Sequence, residues 1–249
     1  MAIVNGKNIQ RNKNWKVIIY GKPGIGKTSS VKYLKGKTLV LSLDNSDRVL
    51  AGQDVDIYQF DRSNPEKDIT EFVKTVNQIS KDYDNLVIDN ISSFEKDWFV
   101  EKGRGSKNGI SNEIQDYSQW TNYFARIMTT LYMIPNINIV TTAWERQIEI
   151  TTETGQQFNQ YAPEIRDSVR DGLLGLADVV GRMIVNPKTG ERGVILEGSD
   201  AVFAKNRLDS RTATAIEDLY KFGSDPVKKS ESKESPKTTA KTPEKGATK

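Results

Sequence analysis

The sequence predicts an α/β fold of three layers, in which a mainly parallel sheet lies between two layers of helices. Short apolar runs rich in β-branched residues alternate along the chain with segments of helical periodicity. This alternation favours parallel strands joined by crossover helices. The chain has 249 residues, enough for one medium-sized domain with a substantial core.

Seven apolar runs predict the strands of this sheet. Each has five to eight residues, and most are rich in Val, Ile and Leu, as buried strands are. In chain order they are WKVIIY (15–20), TLVLSLD (38–44), VDIYQF (55–60), NLVID (85–89), NINIVTT (136–142), DVVGRMIV (178–185) and RGVILEG (192–198). We expect the last two to pair with each other.

Segments of helical periodicity separate these strands. A helix is predicted at about 27–35, and another at 66–82, where Ile69, Phe72, Val73, Val76 and Ile79 recur at spacings of three and four. A long helix follows the strand at 85–89, and its apolar face holds Ile114, Tyr117, Thr121, Phe124, Met128 and Leu131. Two shorter helices are expected near 171–177 and 211–222.

The chain divides into an N-terminal extension (1–14), a globular core (15–224) and a tail (225–249). The tail holds seven lysines and four acids, and Val227 is its only sizeable apolar side chain. Such a segment cannot bury enough apolar surface to offset the entropy of ordering, so we expect it to be disordered. No apolar run approaches the roughly 20 residues that span a bilayer, and the amino terminus lacks a signal-peptide core. We expect no membrane partner.

The composition limits the chemistry that the chain can perform. It contains no cysteine and no histidine, which excludes disulfides, thiolate metal sites and imidazole bases. A bound metal is therefore expected to be a hard cation held by oxygen, such as Mg²⁺. The chain has 36 basic and 33 acidic residues, and the tail accounts for the excess of positive charge. Any affinity of the core for nucleic acid must come from local patches.

A glycine-rich loop follows the first predicted strand. Gly21, Gly26, Lys27 and Thr28 fit the pattern G-x-x-x-x-G-K-[ST] of a phosphate-binding loop, with a strand before it and a helix after it. Backbone N–H groups of such a loop surround phosphate oxygens at a helix N-terminus. The predicted nucleotide-binding residues are Gly21, Lys22, Pro23, Gly24, Ile25, Gly26, Lys27, Thr28 and Ser29, and the expected ligands are ATP and Mg²⁺.

Lys27 is expected to reach the β- and γ-phosphates, and the Thr28 hydroxyl is expected to contact magnesium. A carboxylate at the end of a neighbouring strand usually completes such a site, and Asp89 in LVID supplies one. The next residue is Asn90, where the helicase and AAA+ pattern has a glutamate that activates water. This argues against the AAA+ arrangement. Two other carboxylates are candidates for water activation: Glu66, which we prefer, and Asp44.

In this order and spacing, the motifs resemble those of RecA-type ATPases, and more narrowly phage proteins that consist of little more than a RecA core. The resemblance rests on GKPGIGKT, LVLSLDNSD, the NPEKD loop before LVIDN, RDGLLGLADVVGRM and VFAKNRLDS, and it covers about residues 15 to 210. It implies a RecA-like P-loop NTPase core. These phage proteins accompany recombination and single-strand annealing systems.

The resemblance also implies roles for individual residues. In RecA-like filaments a paired basic motif reaches the γ-phosphate held by the neighbouring subunit, and Lys205 and Arg207 occupy its place here. Residues two apart leave an extended segment on the same face, and cations supplied in trans stabilise the transferring phosphoryl group. The strand at 136–142 should end in a polar sensor, and Thr141 and Thr142 are the candidates, with Thr142 preferred.

Two segments are candidates for binding single-stranded DNA. The first is the glycine-rich stretch 101–111 with the cations Lys102, Arg104 and Lys107, which would bind the DNA backbone. The second is 145–168, where Arg146, Phe158 and Tyr161 combine a cation with stacking surfaces. The same segment also fits a β-hairpin that turns at Thr154–Gly155.

The aromatic residues elsewhere are expected to be structural. Trp98, Trp120 and Trp144 are predicted to lie in the core or at an interface, and Tyr20 is predicted to be buried in the sheet.

Three functional classes remain open on the sequence. The first is a phage recombination ATPase of the bacterial host cytoplasm that binds single-stranded DNA, self-associates and shares ATP sites between subunits. A single-strand-binding or annealing protein is a possible partner. The second is an accessory or loader module with weak intrinsic ATPase activity. The third is a small-molecule kinase, for which 101–111 is the only cationic lid candidate.

Overall fold

The computed structural model describes residues 5–10, 12–151 and 154–222. The predicted tail (225–249) lies outside the described residues. In chain order the strands and α-helices are β1 Lys16–Gly21, β2 Thr38–Ser42, β3 Asp56–Gln59, α1 Pro65–Ile79, β4 Asn85–Asp89, α2 Ile91–Arg104, α3 Ile114–Tyr132, β5 Asn138–Thr151, β6 Gln157–Pro163, α4 Asp167–Leu176, β7 Val179–Val185, β8 Arg192–Ile195, β9 Lys205–Asn206 and β10 Ala213–Ala215.

Six strands form a parallel sheet in the order β3-β2-β4-β5-β1-β7. The antiparallel strands β8 and β10 extend it beyond β7, β9 pairs with β7, and β6 pairs with the distal half of β5. The predicted mainly parallel α/β sheet is therefore confirmed. So is the pairing of the two strand segments near 178–185 and 192–198.

The two faces of the sheet are covered by different structures. In β1, Ile18 and Tyr20 face a core packed by the α-helices, whereas Val17 and Ile19 face a second core. The buried residues of that second core come from no α-helix among the described residues; 3-10 turns and the segment up to Phe222 cover it. The predicted three layers are present, but one of them is thin.

Two predicted helices differ from the structure. After the phosphate-binding loop the chain forms a six-residue 3-10 helix, Thr28–Tyr33, instead of an α-helix over 27–35. The Ser30 hydroxyl bonds back to the carbonyl of Lys27 at 2.6 Å, and such side-chain bonds compete with α-helix formation.

The second difference lies at 211–222, where β10 and a 3-10 turn (Ile216–Asp218) replace the predicted helix. Ile216, Leu219 and Phe222 are all buried. These three residues are spaced by three, and a 3-10 turn can bury such a set on one face without an α-helix.

Helix α2 was not predicted, whereas the β-hairpin considered for the segment 145–168 is present. Helix α2 runs to Arg104, so the first four residues of the proposed loop 101–111 are helical. Within the segment 145–168, β5 and β6 pair as the antiparallel strands of the expected β-hairpin, with Ile148 opposite Gln160 and Ile150 opposite Phe158. Residues 167–168 begin helix α4. Trp98, Trp120 and Tyr20 are buried, as predicted.

Among the described residues, no helix is both long enough and apolar enough to cross a membrane.

Candidate nucleotide-binding site

The site is built at the carboxyl ends of neighbouring parallel strands, which meet at one edge of the sheet. The phosphate-binding loop leaves β1 at this edge, and Gly24 and Gly26 adopt φ angles of +74° and +105°. Residues other than glycine rarely adopt these backbone angles, so the loop requires glycine at both positions. A cavity of about 310 Å³, here called the phosphate cavity, lies over the loop. Its lining includes Lys27, Thr28, Asp44, Ser46, Asp89, Asn90 and Trp144.

Lys27 is held by its own loop. Its Nζ donates to the carbonyl oxygens of Gly21 and Lys22, both at 2.9 Å, and the residue is only 6% exposed. Burial lowers the pKa of Lys27 below its usual value, whereas the nearby carboxylates, above all that of Asp89, oppose this shift. The ammonium group therefore already lies against the phosphate-binding loop, where it is predicted to contact the β- and γ-phosphates.

Asp89 is the centre of the hydrogen-bond network at this edge. Thr28 Oγ1 donates to its Oδ2 at 2.6 Å, Ser46 Oγ lies 3.5 Å from the same oxygen, and Thr142 donates to its Oδ1. Burial raises the pKa of Asp89, and the hydrogen bonds from Thr142 and Thr28 act against that shift. Thr142, the preferred sensor candidate, thus contacts Asp89 directly, whereas Thr141 bonds to the hydroxyl of Tyr132.

This donor set fits magnesium. Mg²⁺ is bound through oxygen, commonly by one or two carboxylates together with substrate phosphates and water. The hydroxyl of Thr28 and the carboxylate of Asp89 are the oxygen pair that was predicted, and they already lie within hydrogen-bond distance of each other. No cluster of three or more acidic side chains suited to a metal occurs in the part of the chain that the structure describes. A phosphate-assisted site is therefore the arrangement that these residues can form.

Asn90 connects Asp89 to a second carboxylate. The peptide bond between Asp89 and Asn90 is cis. Asn90 caps helix α2, because its Oδ1 accepts from the N–H groups of Ser92 and Ser93 at 2.8 and 3.2 Å. Its Nδ2 donates to Oδ2 of Asp44 at 3.3 Å. The position where AAA+ proteins have a glutamate therefore orients a carboxylate that follows the neighbouring strand β2.

The structure does not support Glu66 as the water-activating residue. Its carboxylate pairs with Lys102 Nζ at 2.7 Å and lies in a different cavity, between α1, α2 and α3. Asp44, the second candidate, lines the phosphate cavity. Strand order explains the difference, since β2 is next to β4 whereas β3, which precedes Glu66, is one strand further away.

Two residues of the phosphate cavity had no predicted role in nucleotide binding. Ser46 was not considered, although a hydroxyl two residues after Asp44 is a usable signal. Trp144 was expected in the core or at an interface; it lines the phosphate cavity, and Lys96 Nζ lies 4.3 Å from its ring centroid.

Lys205 and Arg207 do not line the phosphate cavity of their own chain. Lys205 is paired with Val180, which lies beside Ile18 in β1, and the sheet edge at Gly21 is three residues further along, roughly 10 Å. Both side chains project in one direction, as predicted: they donate to the carbonyls of Leu174 and Gly175 near the end of α4.

The predicted DNA-binding cations differ in their surroundings. Lys102 is engaged with Glu66 and lies 5.0 Å from the ring centroid of Trp98, and Arg146 forms an ion pair with Asp167. Arg104 and Lys107 are exposed. Arg104 ends helix α2, and Lys107 lies in the following loop.

Of three comparisons with known proteins, one shows a family. A search of curated proteins finds no match. Among solved structures, a crystal structure of the RadB recombinase aligns with this chain at 15% sequence identity and a TM-score of 0.46. The alignment covers 74% of this chain and 80% of the recombinase chain. That level of similarity does not transfer the function of the recombinase to this chain. A family model described as an AAA domain matches residues 13–208, and the chain therefore belongs to the AAA domain family of P-loop NTPases.

Proposed function

We propose that this protein is a magnesium-dependent ATPase that binds single-stranded DNA and assembles into oligomers with ATP sites between subunits. It would act in phage DNA recombination or annealing, in the cytoplasm of a bacterial host, with a single-strand-binding or annealing protein as a further partner. One observation carries the ATPase part: Lys27, Thr28, Asp89 and Asp44 converge on one cavity over the glycine-rich loop.

Each of these side chains has a task in phosphoryl transfer. Lys27 is placed to neutralise phosphate charge, and Thr28 and Asp89 are placed to hold the magnesium ion, which supplies charge stabilisation when bound. Asp44 lines the same cavity and accepts a hydrogen bond from Asn90, so it is the side chain that we assign to orienting and deprotonating the attacking water.

Assembly would complete the site. Lys205 and Arg207 lie on a part of the molecule away from their own phosphate cavity, which is what a cation that acts on a neighbour's nucleotide requires. Their present partners are main-chain carbonyls near the end of α4, so the two side chains would have to exchange these hydrogen bonds for phosphate contacts.

Single-stranded DNA would be bound by the exposed cations at and just after the end of α2 and by the β5–β6 hairpin. Arg104 and Lys107 provide phosphate contacts, and Phe158, half-buried on the hairpin, provides a surface on which a base could stack. Arg146, at the base of the hairpin, would contribute after release from Asp167.

The test is steady-state ATP hydrolysis in magnesium, with and without single-stranded DNA. We expect stimulation by DNA and loss of turnover in Lys27→Ala. The paired change Arg104→Ala with Lys107→Ala should weaken DNA binding and flatten its salt dependence, because fewer counterions are released. Lys74→Ala with Lys81→Ala removes two exposed lysines elsewhere and is the matched control. Hydrolysis that is indifferent to DNA, in a protein that stays monomeric with ATP, would contradict the proposal.

A second function is favoured by one observation. No glutamate lines the phosphate cavity among the described residues, and the shorter Asp44 is partly engaged by Asn90 and by the N–H of Ser46. Such a site suits a nucleotide-dependent accessory or loader module with slow turnover. It predicts ATP binding with stimulation by a protein partner instead of by DNA.

A further inference from the structure

A second and larger cavity lies beside the phosphate cavity. This side cavity has a volume of about 730 Å³, and its walls include Gly26, Ser29, Tyr33, Arg192, Ala215 and Glu217. One wall is the phosphate-binding loop with its 3-10 helix, and the opposite wall is formed by β8, β10 and the 3-10 turn after β10. None of the roles assigned above uses it.

The two cavities meet over the phosphate-binding loop. Gly26 and Ser29 line both of them, so a single ligand can extend from one into the other. The phosphate cavity holds Lys27 and Asp89, which suit a polyphosphate and its metal. The side cavity is more than twice as large, which leaves it for the part of the ligand that is not phosphate.

Arg192 lies at the junction. Its Nε donates to the carbonyl oxygen of Ile25 at 2.8 Å, so the guanidinium is fixed against the loop from β8. A Cβ at Gly26 would lie 3.0 Å from that Nε and 3.3 Å from Cδ of Arg192. The glycine at position 26 therefore serves two needs: its positive φ angle and the close approach of Arg192.

The guanidinium has donors left for a ligand. Arginine carries five N–H groups, and Nε supplies one of them to Ile25. Apart from that bond, no hydrogen bond or ion pair of this side chain occurs among the residues that the structure describes. Arg192 is exposed at the cavity. Its two terminal nitrogens match the fork geometry that binds phosphate oxygens in pairs.

Two hydrogen bonds tie the 3-10 helix after the loop to the segment after β10. The hydroxyl of Tyr33 donates to Glu217 at 3.0 Å, and the hydroxyls of Ser30 and Tyr220 lie 2.9 Å apart. The two walls of the side cavity therefore offer an aromatic side chain, Tyr33, and a carboxylate acceptor, Glu217, which are groups that suit a base and a ribose.

We propose that the side cavity takes the nucleoside of the bound nucleotide and that Arg192 binds the α-phosphate within the same chain. This rests on the proposed function in that the ligand is ATP. It adds a cation in cis to the pair Lys205 and Arg207, which were assigned to act in trans. Because the α-phosphate is present in both ATP and ADP, Arg192 should contribute to the binding of both.

Calorimetric titration with ATP, ADP and inorganic pyrophosphate, all in magnesium, tests the role of Arg192. We expect Arg192→Ala to weaken ATP and ADP to the same extent, by roughly tenfold or more, as for the loss of a charge-assisted contact. Arg192→Lys should lie between Arg192→Ala and wild type, because it keeps the charge without the fork. Lys188→Ala, an exposed cation of the β7–β8 turn, is the matched control and should leave both affinities unchanged.

A bulky residue tests the side cavity itself. Ala215→Trp would occupy it, and we expect it to weaken ATP and ADP but not pyrophosphate; Ala213→Trp, in the same strand but outside the lining, should weaken none of them. The inference would be overturned if Arg192→Ala bound ATP and ADP within twofold of wild type, or if it lost affinity for ATP alone. It would also be overturned if Ala215→Trp lost affinity for pyrophosphate and ADP equally. A wild-type protein that binds pyrophosphate but no nucleotide would overturn the proposed function as well.

Discussion

The side-chain amide of Asn90 donates to the carboxylate of Asp44 at 3.3 Å and joins the carboxyl ends of β4 and β2. The same side chain caps α2 through its oxygen. One residue therefore fixes the start of a helix and the orientation of the carboxylate that we assign to water activation. These two tasks can be separated by substitution.

Asn90→Asp keeps an oxygen to cap α2 but replaces the donor to Asp44 with a second carboxylate. We expect it to retain most of the thermal stability and to lose ATP turnover. Asn90→Ala removes the cap as well, at a cost of about 1 kcal/mol in the free energy of unfolding. Thermal unfolding and steady-state hydrolysis, measured on both variants, check this. Turnover in Asn90→Asp equal to wild type would show that the contact with Asp44 has no catalytic role.

Asp44 and Glu66 can be compared directly. We expect Asp44→Asn to reduce kcat by roughly 100-fold, as for loss of a general base, with ATP affinity little changed. Glu66→Gln should leave kcat within about twofold, because Glu66 pairs with Lys102 outside the phosphate cavity. Single-turnover hydrolysis of bound ATP measures both. The opposite ranking would restore Glu66 as the catalytic carboxylate.

Much of this site could be predicted from local sequence, because the phosphate-binding loop and the end of β4 are each defined by adjacent residues. The choice between Asp44 and Glu66 could not, since it depends on which strand lies next to β4. Helix α2 was missed because its polar and apolar residues are mixed and its start is set by a cap at Asn90. Asn90 stands where the AAA+ pattern has a glutamate, and this argues against the AAA+ arrangement. The chain nevertheless matches an AAA domain family, so this one residue does not decide family membership.

Thr142 and Thr141 provide a matched pair of buried hydroxyls on β5. Thr142→Val removes a hydrogen bond to Asp89, whereas Thr141→Val removes one to Tyr132. Loss of a hydrogen-bond partner from a ligating carboxylate typically weakens metal binding by about 10- to 100-fold. We therefore expect only Thr142→Val to raise the magnesium concentration needed for half-maximal hydrolysis. If both variants shift it equally, the effect belongs to the packing of β5.

Subunit mixing tests whether Lys205 acts on a neighbouring site. Lys27→Ala abolishes the phosphate site of one subunit, and Lys205→Ala removes the proposed cation from another. If the cation acts in trans, an intact site of the second subunit can meet an intact Lys205 of the first. We expect the mixture to hydrolyse more ATP than the two variants do separately.

Lys205 also donates to the carbonyl of Leu174, so its loss could loosen α4. Thermal unfolding of Lys205→Ala alone separates that effect from catalysis. A mixture no more active than its separate components, with both variants folded and oligomeric, would place the action of Lys205 within its own chain or outside catalysis.

Asp209 stabilises the turn that follows Lys205 and Arg207. It accepts from Asn206 Nδ2 at 2.7 Å and from Arg211 Nε at 2.8 Å. Burial acts to raise the pKa of Asp209, but these hydrogen bonds outweigh it and the pKa lies below the ordinary value. The folded state therefore binds this proton less tightly than the unfolded chain. The carboxylate stabilises the fold above its unfolded pKa, and this contribution is lost as the pH falls through the folded pKa.

We expect Asp209→Asn to lower the free energy of unfolding by about 1 kcal/mol at neutral pH, and by progressively less as the pH falls below the ordinary range of an aspartate. Denaturant unfolding across this pH range measures the difference. Asp218→Asn is the control, because its ion pair with Lys221 is exposed and such pairs contribute little. A loss in Asp209→Asn that stays constant down to the most acidic pH would show that the Asp209 charge does not hold this turn.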